Sequence, residues 1–311
     1  MKDLPFLPPL LRRPCPLPTV RLSSALLKAT ALELAVLAGH VLIYPTGIPG
    51  ERRAAARPAG PRATPPDTSA PPGATTPPGA TAPARASVLP ADGPEGDGGD
   101  EHPPVVLLHG FIDNRSVFVL LRRCLARHGW RHLESLNYSP LTCDIRTAAE
   151  LLGRHVEEIC ARTGHHEVDI VGHSLGGLIA RYYVQRLGGD QRVRTLITLG
   201  TPHGGTAVAP LASAHPIVRQ MRTGSAPIEE LRRPAPGCRT RFVSFWSELD
   251  RVIVPAEAAR IDHPDLDARN VRVTGIGHLA LPVHPAVAAA VRQTLESREP
   301  TAEANGTIGA A

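Results

Sequence analysis

One serine lies in a glycine-rich sequence whose spacing suits nucleophilic chemistry. Residues 172–177 read GHSLGG; they follow the predicted strand 168–171 and lead into a helical pattern that begins at Leu175. The pattern G-x-S-x-G between a strand and a helix is typical of a nucleophile elbow, a sharp turn that lifts the serine hydroxyl above a sheet. We therefore predict Ser174 as a nucleophile; the alternative is an ordinary serine in a glycine-rich turn.

A serine nucleophile needs a base, and His278 is the histidine best placed to act as one. A hydroxyl attacks only weakly unless a base removes its proton, and an acid orients that base. His278 follows the last predicted strand, 271–274, on a loop that contains two glycines. His203 follows a strand that comes too early in the chain, and we assign it to the pocket. Three further histidines each precede a proline and are predicted in turns: His215, His263 and His284.

The orienting acid is expected after the penultimate strand, between the serine and the histidine in the chain. Asp250 lies in that position, shortly after the predicted strand 241–246. Glu248 is its nearest competitor, and Asp262 and Asp265 are more remote ones. We predict Asp250 as the acid.

Acyl transfer also places negative charge on an oxygen, which two backbone N–H groups would have to stabilise. We predict the first donor at Leu175, directly after the serine, and the second at Phe111, in the loop after an early strand. Under the alternative interpretation, residues 108–110 form only a strand-ending turn. Three histidines near these loops are predicted to contact substrate: His109, His173 and His203.

These residues require a scaffold in which strands alternate with helices. Apolar runs predict strands at 105–108, 132–137, 168–171, 193–199, 241–246 and 271–274. Helical patterns between and after them predict helices at 114–128, 144–162, 175–187 and 285–295. Such alternation indicates an α/β fold, a mostly parallel sheet with helices on both faces, whose active site forms at the carboxyl ends of the strands.

From about residue 104 to 295 the chain resembles bacterial lipases of the α/β-hydrolase fold, above all the small, minimal triacylglycerol lipases. The resemblance is carried by PVVLLHGF at 104–111, VDIVGHSLGG at 168–177, TLGTP at 198–202 and ARNV at 268–271 leading to GIGH at 275–278. It implies hydrolysis of acyl esters such as acylglycerols, with no cofactor. It also implies a role for each of five residues: Ser174 as nucleophile, Asp250 as acid, His278 as base, and Phe111 and Leu175 as oxyanion donors.

One segment departs from that family pattern. Between residues 201 and 239 the chain is longer than the minimal lipases, and apolar side chains recur there at helical spacing. They could form a small cap over an acyl pocket, or an ordinary surface helix packed on the core. The residues concerned are Ile217, Val218, Met221 and Leu231.

The prolines divide the chain. Six of the 33 fall in the first 18 residues and fifteen more lie between Pro45 and Pro104, a density that excludes packed helices and strands. We predict an N-terminal segment 1–45, a disordered Pro/Ala/Gly/Thr-rich linker 46–102, a hydrolase-like domain 103–298 and a disordered tail 299–311. The apolar run 29–44 follows basic residues, so residues 22–44 are predicted to anchor an exported chain to a membrane; the alternative is a helix docked on the domain.

Charge and cysteine content exclude other classes. The net charge is +5, but the arginines are scattered and aromatic residues make up only 4% of the chain, so we expect no nucleic-acid partner. The five cysteines show no metal-ligand spacing, so we expect no metal site. They either form one disulfide or stay free thiols. Separately, we expect a monomer. An acyltransferase on the same scaffold and a non-catalytic binding domain remain as alternative functions.

Overall fold

The computed structural model describes residues 30–35, 38, 102–111, 113, 115–136, 144–207, 215–297 and 305–309. The predicted linker lies outside these residues except for His102, and most of the predicted anchor lies outside them too. Within the described part, no helix is both long enough and apolar enough to cross a membrane. The anchor therefore stays a prediction.

A sheet of parallel strands organises the described part of the chain. Its seven strands lie in the order β2-β1-β3-β4-β5-β6-β7, and every neighbouring pair is parallel. The strands are β1 (Val105–Leu108), β2 (Leu133–Leu136), β3 (Val168–His173), β4 (Val193–Leu199), β5 (Arg241–Ser247), β6 (Asp267–Thr274) and β7 (Asn305–Gly309). All residues of β1 and β3 are buried, which explains the unbroken apolar run of β1 and the mostly apolar start of β3.

Helices cover both faces of this sheet, as the sequence predicts. On one face, α2 (Ile145–Thr163), α3 (Leu175–Arg186), α4 (Pro216–Gln220) and α5 (Ala226–Arg232) bury their apolar sides in one core cluster. On the other face, α1 (Val119–Arg127) and α6 (Pro285–Glu296) contribute to a second cluster. The predicted α/β-hydrolase-like architecture is confirmed.

Local signals explain where the longest helix begins and ends. The Asp144 carboxylate accepts a hydrogen bond of 2.9 Å from the Thr147 N–H, so it satisfies one of the unpaired donors of the first turn of α2. Gly164 ends the helix in the left-handed region, at φ 78°. The predicted helix at 144–162 therefore differs from α2 by one residue at each end.

Two predicted elements need correction. The disordered tail predicted for 299–311 is wrong for residues 305–309, which form β7 at the edge of the sheet beside β6. Its residues NGTIG lack an apolar run because an edge strand is held by backbone pairing, and Ile308 packs against the core. The helix predicted at 114–128 is a 3-10 turn, Arg115–Phe118, followed by α1.

The segment that departs from the minimal lipases forms two short helices, α4 and α5. Ile217 and Leu231 are fully buried in the core beneath these helices, which is the surface-helix arrangement. Val218 and Met221 are also largely buried, but they line a cavity at the carboxyl edge of the sheet. The segment thus packs on the core and forms one wall of that cavity.

Candidate active site

The strand register brings the predicted site loops together. Leu108 at the end of β1 pairs with Gly172 of β3, so the loop of Phe111 and the turn of Ser174 leave the sheet side by side. At the neighbouring strands, Ser247 of β5 pairs with Val273 of β6, and the loops that carry Asp250 and His278 follow directly. All four loops lie at the carboxyl ends of the strands, where parallel sheets form their sites.

Ser174 has the strained backbone of a nucleophile elbow. Its φ is 51° and its ψ is −118°, and among the described residues no other non-glycine has a positive φ. The turn is tight because Gly176 passes beside β1: a Cβ there would lie 2.4 Å from the Leu108 carbonyl oxygen. A serine held in a sparsely populated conformation at the start of a helix is the arrangement that the sequence motif predicts.

Asp250 and His278 form a buried pair on the same cavity as Ser174. Asp250 Oδ2 lies 2.7 Å from His278 Nδ1, and Asp250 Oδ1 accepts hydrogen bonds of 2.8 Å from the N–H groups of Val252 and Ile253. Because a carboxylate only accepts, His278 donates through Nδ1–H and its Nε2 is the nitrogen that can take a proton. Ser174 and His278 both line the cavity.

The alternative acids lie elsewhere. Glu248 is half exposed and pairs with Arg272 on the surface. Asp262 is exposed, and Asp265 Oδ2 accepts a 2.8 Å hydrogen bond from the Ala235 N–H. Of the four candidates, the structure brings only Asp250 to His278.

The electrostatics of His278 suit a base. Burial opposes protonation, but the charge of Asp250 and its hydrogen bond outweigh that effect, so the pKa of His278 is raised above its ordinary value of 6.5. The charges of Asp113 and Glu33 act in the same direction. The imidazolium that would form during catalysis is therefore stabilised.

The absence of a side chain at Gly200 leaves space for the Asp250–His278 pair. It follows β4 with φ 53°, and a Cβ at this position would lie 3.1 Å from His278 Nδ1 and 3.2 Å from Asp250 Oδ2. A side chain there would press on the pair and on Leu281, which lies 2.9 Å from the same point.

A second imidazole–carboxylate pair, which the sequence reasoning missed in part, lies beside the first. His173 Nδ1 is 2.9 Å from Asp113 Oδ2, its Nε2 is 3.2 Å from the His278 carbonyl oxygen, and the His173 and His278 rings are 4.9 Å apart. The two hydrogen bonds require two hydrogens, so the fully buried His173 and Asp113 together carry no net charge. The sequence predicts His173 at the site; the acid at the end of HGFID at 109–113 was the available signal for its partner.

The cavity at Ser174 has a volume of about 170 Å³ and is largely apolar. Its polar side chains are Asp113, His173, Ser174, Thr206 and His278, and its apolar wall includes Phe111, Val218, Met221, Val252, Ile253 and Leu279. Leu175 is the first residue of α3, so its N–H has no acceptor within the helix and points toward the turn of Ser174.

His109 and His203 are placed differently from His173. His109 Nδ1 lies 2.8 Å from the Gly110 carbonyl oxygen, and His203 Nε2 lies 3.0 Å from Thr198 Oγ1. Burial lowers the pKa of both, and the charge of Arg181 lowers that of His203 further. Neither side chain is part of the described cavity wall, so the prediction that they contact substrate has no support from the cavity.

The described residues hold no group of three or more side chains suited to a metal ion. Cys124, Cys160 and Cys238 are free thiols, whereas Cys15 and Cys143 lie outside the described residues.

Comparison with known structures identifies the fold of the chain. The chain has the α/β-hydrolase fold: it resembles Aspergillus fumigatus lipase B (TM-score 0.57, 16% identity, 64% of this chain and 54% of that one) and a Bacillus licheniformis lipase in its propeptide form (TM-score 0.56, 18% identity, 65% and 52%).

Sequence comparisons point to the same class. The family model for palmitoyl protein thioesterase matches residues 104–234. A triacylglycerol lipase of Pseudarthrobacter phenanthrenivorans is 30% identical over 113 residues, which cover 34% of this chain and 35% of that relative. The aligned part thus spans about a third of that curated relative.

Proposed function

We propose that the protein hydrolyses carboxylic esters through Ser174, His278 and Asp250. The observation that carries the proposal is a buried His278 that is paired with Asp250 and lines the same cavity as a serine held in an elbow conformation. The likeness to lipases in fold and in partial sequence supports the reaction class.

In the first half of the reaction, Ser174 Oγ attacks the ester carbonyl carbon while His278 Nε2 takes the hydroxyl proton. The C–O bond to the alcohol then breaks, and His278 returns that proton to the leaving alcohol. In the second half, His278 activates a water that attacks the acyl-enzyme, releasing the carboxylic acid and restoring the serine. The N–H groups of Phe111 and Leu175 would stabilise the oxyanion of each tetrahedral intermediate.

The substrate is an acyl ester or lipid whose acyl group enters the apolar cavity. Its volume of about 170 Å³ is below the roughly 300–1,000 Å³ of ordinary ligand pockets. A short acyl group fits inside, whereas a long one exceeds the volume of the cavity. Short and medium acyl esters are therefore the preferred substrates.

The test is hydrolysis of nitrophenyl esters from two to sixteen carbons by the full chain and by S174A. S297A is the matched control because Ser297 is exposed at the end of α6 and does not line the cavity. We expect S297A to retain activity and S174A to lose at least about 10⁴-fold in kcat. Equal rates for the wild-type chain and S174A would contradict the mechanism.

Thioester hydrolysis is the second candidate, and the match to palmitoyl protein thioesterase over residues 104–234 favours it. The same nucleophile and oxyanion donors serve a thioester, with a thiol as the leaving group. Acyl-thioester and nitrophenyl-ester substrates of equal chain length separate the two. A higher kcat/KM for the thioester in the wild-type chain, abolished in S174A, would favour the thioesterase.

We also propose that the chain is exported and attached to a membrane through residues 22–44. The apolar run 29–44 and the basic residues before it support this proposal. Cell fractionation of the full chain against a chain beginning at Pro104 tests it. We expect only the full chain in the membrane fraction; two soluble intracellular proteins would contradict it.

A further inference from the structure

The described N-terminal residues lie against the loop that follows His278. Glu33, in the helical segment 30–35, accepts a hydrogen bond from the Leu279 N–H at Oε2 (3.1 Å) and one from the Ala280 N–H at Oε1 (3.0 Å). The neighbouring Leu32 packs against the core cluster beneath α6. A residue from before the linker therefore contacts the backbone of the candidate active site.

Among the residues that the structure describes, no backbone carbonyl accepts from the Leu279 or Ala280 N–H, so Glu33 is their acceptor. Residues 278–283 form successive turns in which Leu281 N–H bonds to the His278 carbonyl (3.4 Å) and Val283 N–H to the Ala280 carbonyl (3.1 Å). The first donors of such a turn have no acceptor within it. A carboxylate at that end accepts them and interacts favourably with the aligned peptide dipoles.

Gly277 is shaped to the same contact. A Cβ at this position would lie 2.6 Å from Glu33 Oε1 and 2.7 Å from its carboxyl carbon. Gly277 is not among the described glycines with positive φ, so its backbone would accept another residue. A side chain directly before His278 would therefore displace the Glu33 carboxylate from this contact.

We propose that Glu33 is a positioning residue that fixes the turn carrying His278 and the cavity residue Leu279. This inference rests on the proposed ester hydrolysis. Glu33 touches no reacting atom; it acts by holding the backbone on which the base sits. While Glu33 makes these bonds, residues 30–35 lie along the hydrolase domain, so this contact and the proposed membrane insertion of residues 22–44 exclude one another in a given molecule.

The test compares E33A and E33Q in the full chain. L34A is the matched control, because Leu34 neighbours Glu33 on the same helical segment and is 62% exposed. In E33A we expect kcat for a nitrophenyl ester to fall about tenfold, the rate equivalent of one lost hydrogen bond, with a smaller change in KM. E33Q keeps one acceptor oxygen, so its kcat is expected to lie between those of E33A and the wild-type chain. The kcat of L34A is expected to match that of the wild-type chain.

Two readouts separate this role from general support of the fold. Removing the Glu33 charge lowers the pKa of His278, so the acid limb of the kcat profile moves to lower pH in both E33A and E33Q. Amide hydrogen exchange in the peptide covering 277–284 becomes faster in E33A and stays unchanged in L34A. Wild-type kcat, pH profile and exchange in E33A would overturn the proposal.

E33Q keeps the proposal testable if E33A is poorly folded, and G277A tests the same contact from the other side. G277A forces a methyl group against the Glu33 carboxylate, so as a single substitution it is expected to lower kcat. The loss of kcat caused by G277A is expected to be smaller when Glu33 is also replaced by alanine. Strictly additive effects of the two substitutions would overturn the contact. If the chain hydrolyses no ester at all, the exchange measurement still reports on Glu33, which distinguishes failure of the function from failure of the inference.

Discussion

At the scale of single residues, two imidazole–carboxylate pairs stand side by side with unlike surroundings. The His278–Asp250 pair leaves Nε2 open to the cavity. In the His173–Asp113 pair both ring nitrogens are engaged, and Nε2 holds the backbone carbonyl of His278. The first pair can exchange a proton with substrate, whereas the second supports the first.

We expect D113N to weaken that support. The amide removes the carboxylate that balances a buried imidazole, so the free energy of unfolding falls by about 1–3 kcal/mol. Displacement of His278 lowers kcat by roughly tenfold to a hundredfold. Denaturant unfolding and nitrophenyl-ester kinetics measure the two effects. D262N makes the same change at an exposed position and is expected to be neutral; equal behaviour of the two variants would contradict the role of Asp113.

The sequence predicts the residues that depend on local order and misses those that depend on contacts across the fold. Ser174, Asp250 and His278 could be selected because each follows a strand in the order that the fold requires. In the structure Ser174 and His278 line one cavity, and Asp250 contacts His278. Asp113 was not selected because its importance comes from the His173 ring. Glu33 lies in an apolar run that predicts an anchor, so only the structure reveals its partner loop.

At the scale of elements, the turn after β4 sets the distance between the sheet and the acid–base pair. Gly200 has φ 53° in this turn and lies directly behind Asp250 and His278. Strand β4 was predicted at its full length because nearly all of its residues are buried between the two covered faces of the sheet. Strand β7 was missed because an edge strand needs no apolar run.

We expect G200A to lower both stability and activity. A non-glycine residue at positive φ costs roughly 1–2 kcal/mol, and the added methyl group presses on the His278–Asp250 pair. G164A is the matched control, because Gly164 has φ 78° at the end of α2 and a methyl group added there would meet no other atom within 4 Å. G164A should lose stability with unchanged kcat. Thermal unfolding and ester kinetics distinguish the two, and an unchanged kcat in G200A would argue against contact with the pair.

At the scale of the whole molecule, buried histidines link stability to pH. Burial, with the charge of Arg181, holds the pKa of His203 well below 6.5. Below about pH 6.5 the unfolded chain binds a proton at this residue that the folded chain refuses, so acid favours unfolding. The raised pKa of His278 acts in the opposite direction, because its stabilising contribution is complete below the unfolded pKa and is lost as pH rises through the folded one.

We therefore expect H203Q to reduce the sensitivity of folding to acid. In the wild-type chain His203 adds a slope of up to about 1.4 kcal/mol per pH unit below pH 6.5, and H203Q removes it. Denaturant unfolding at pH 7, 6 and 5 measures the free energy of unfolding. H128Q, which replaces an exposed histidine, is the control. The same slope in H203Q and the wild-type chain would contradict the assignment.

The space that Gly277 leaves for Glu33 has an evolutionary consequence. We expect the two positions to be coupled in evolution although the predicted linker separates them in the sequence. Without the acid at 33 the contact places no demand on residue 277, and a side chain at 277 displaces the acid from the contact. Among chains that share this N-terminal segment, substitutions at the two positions should occur together.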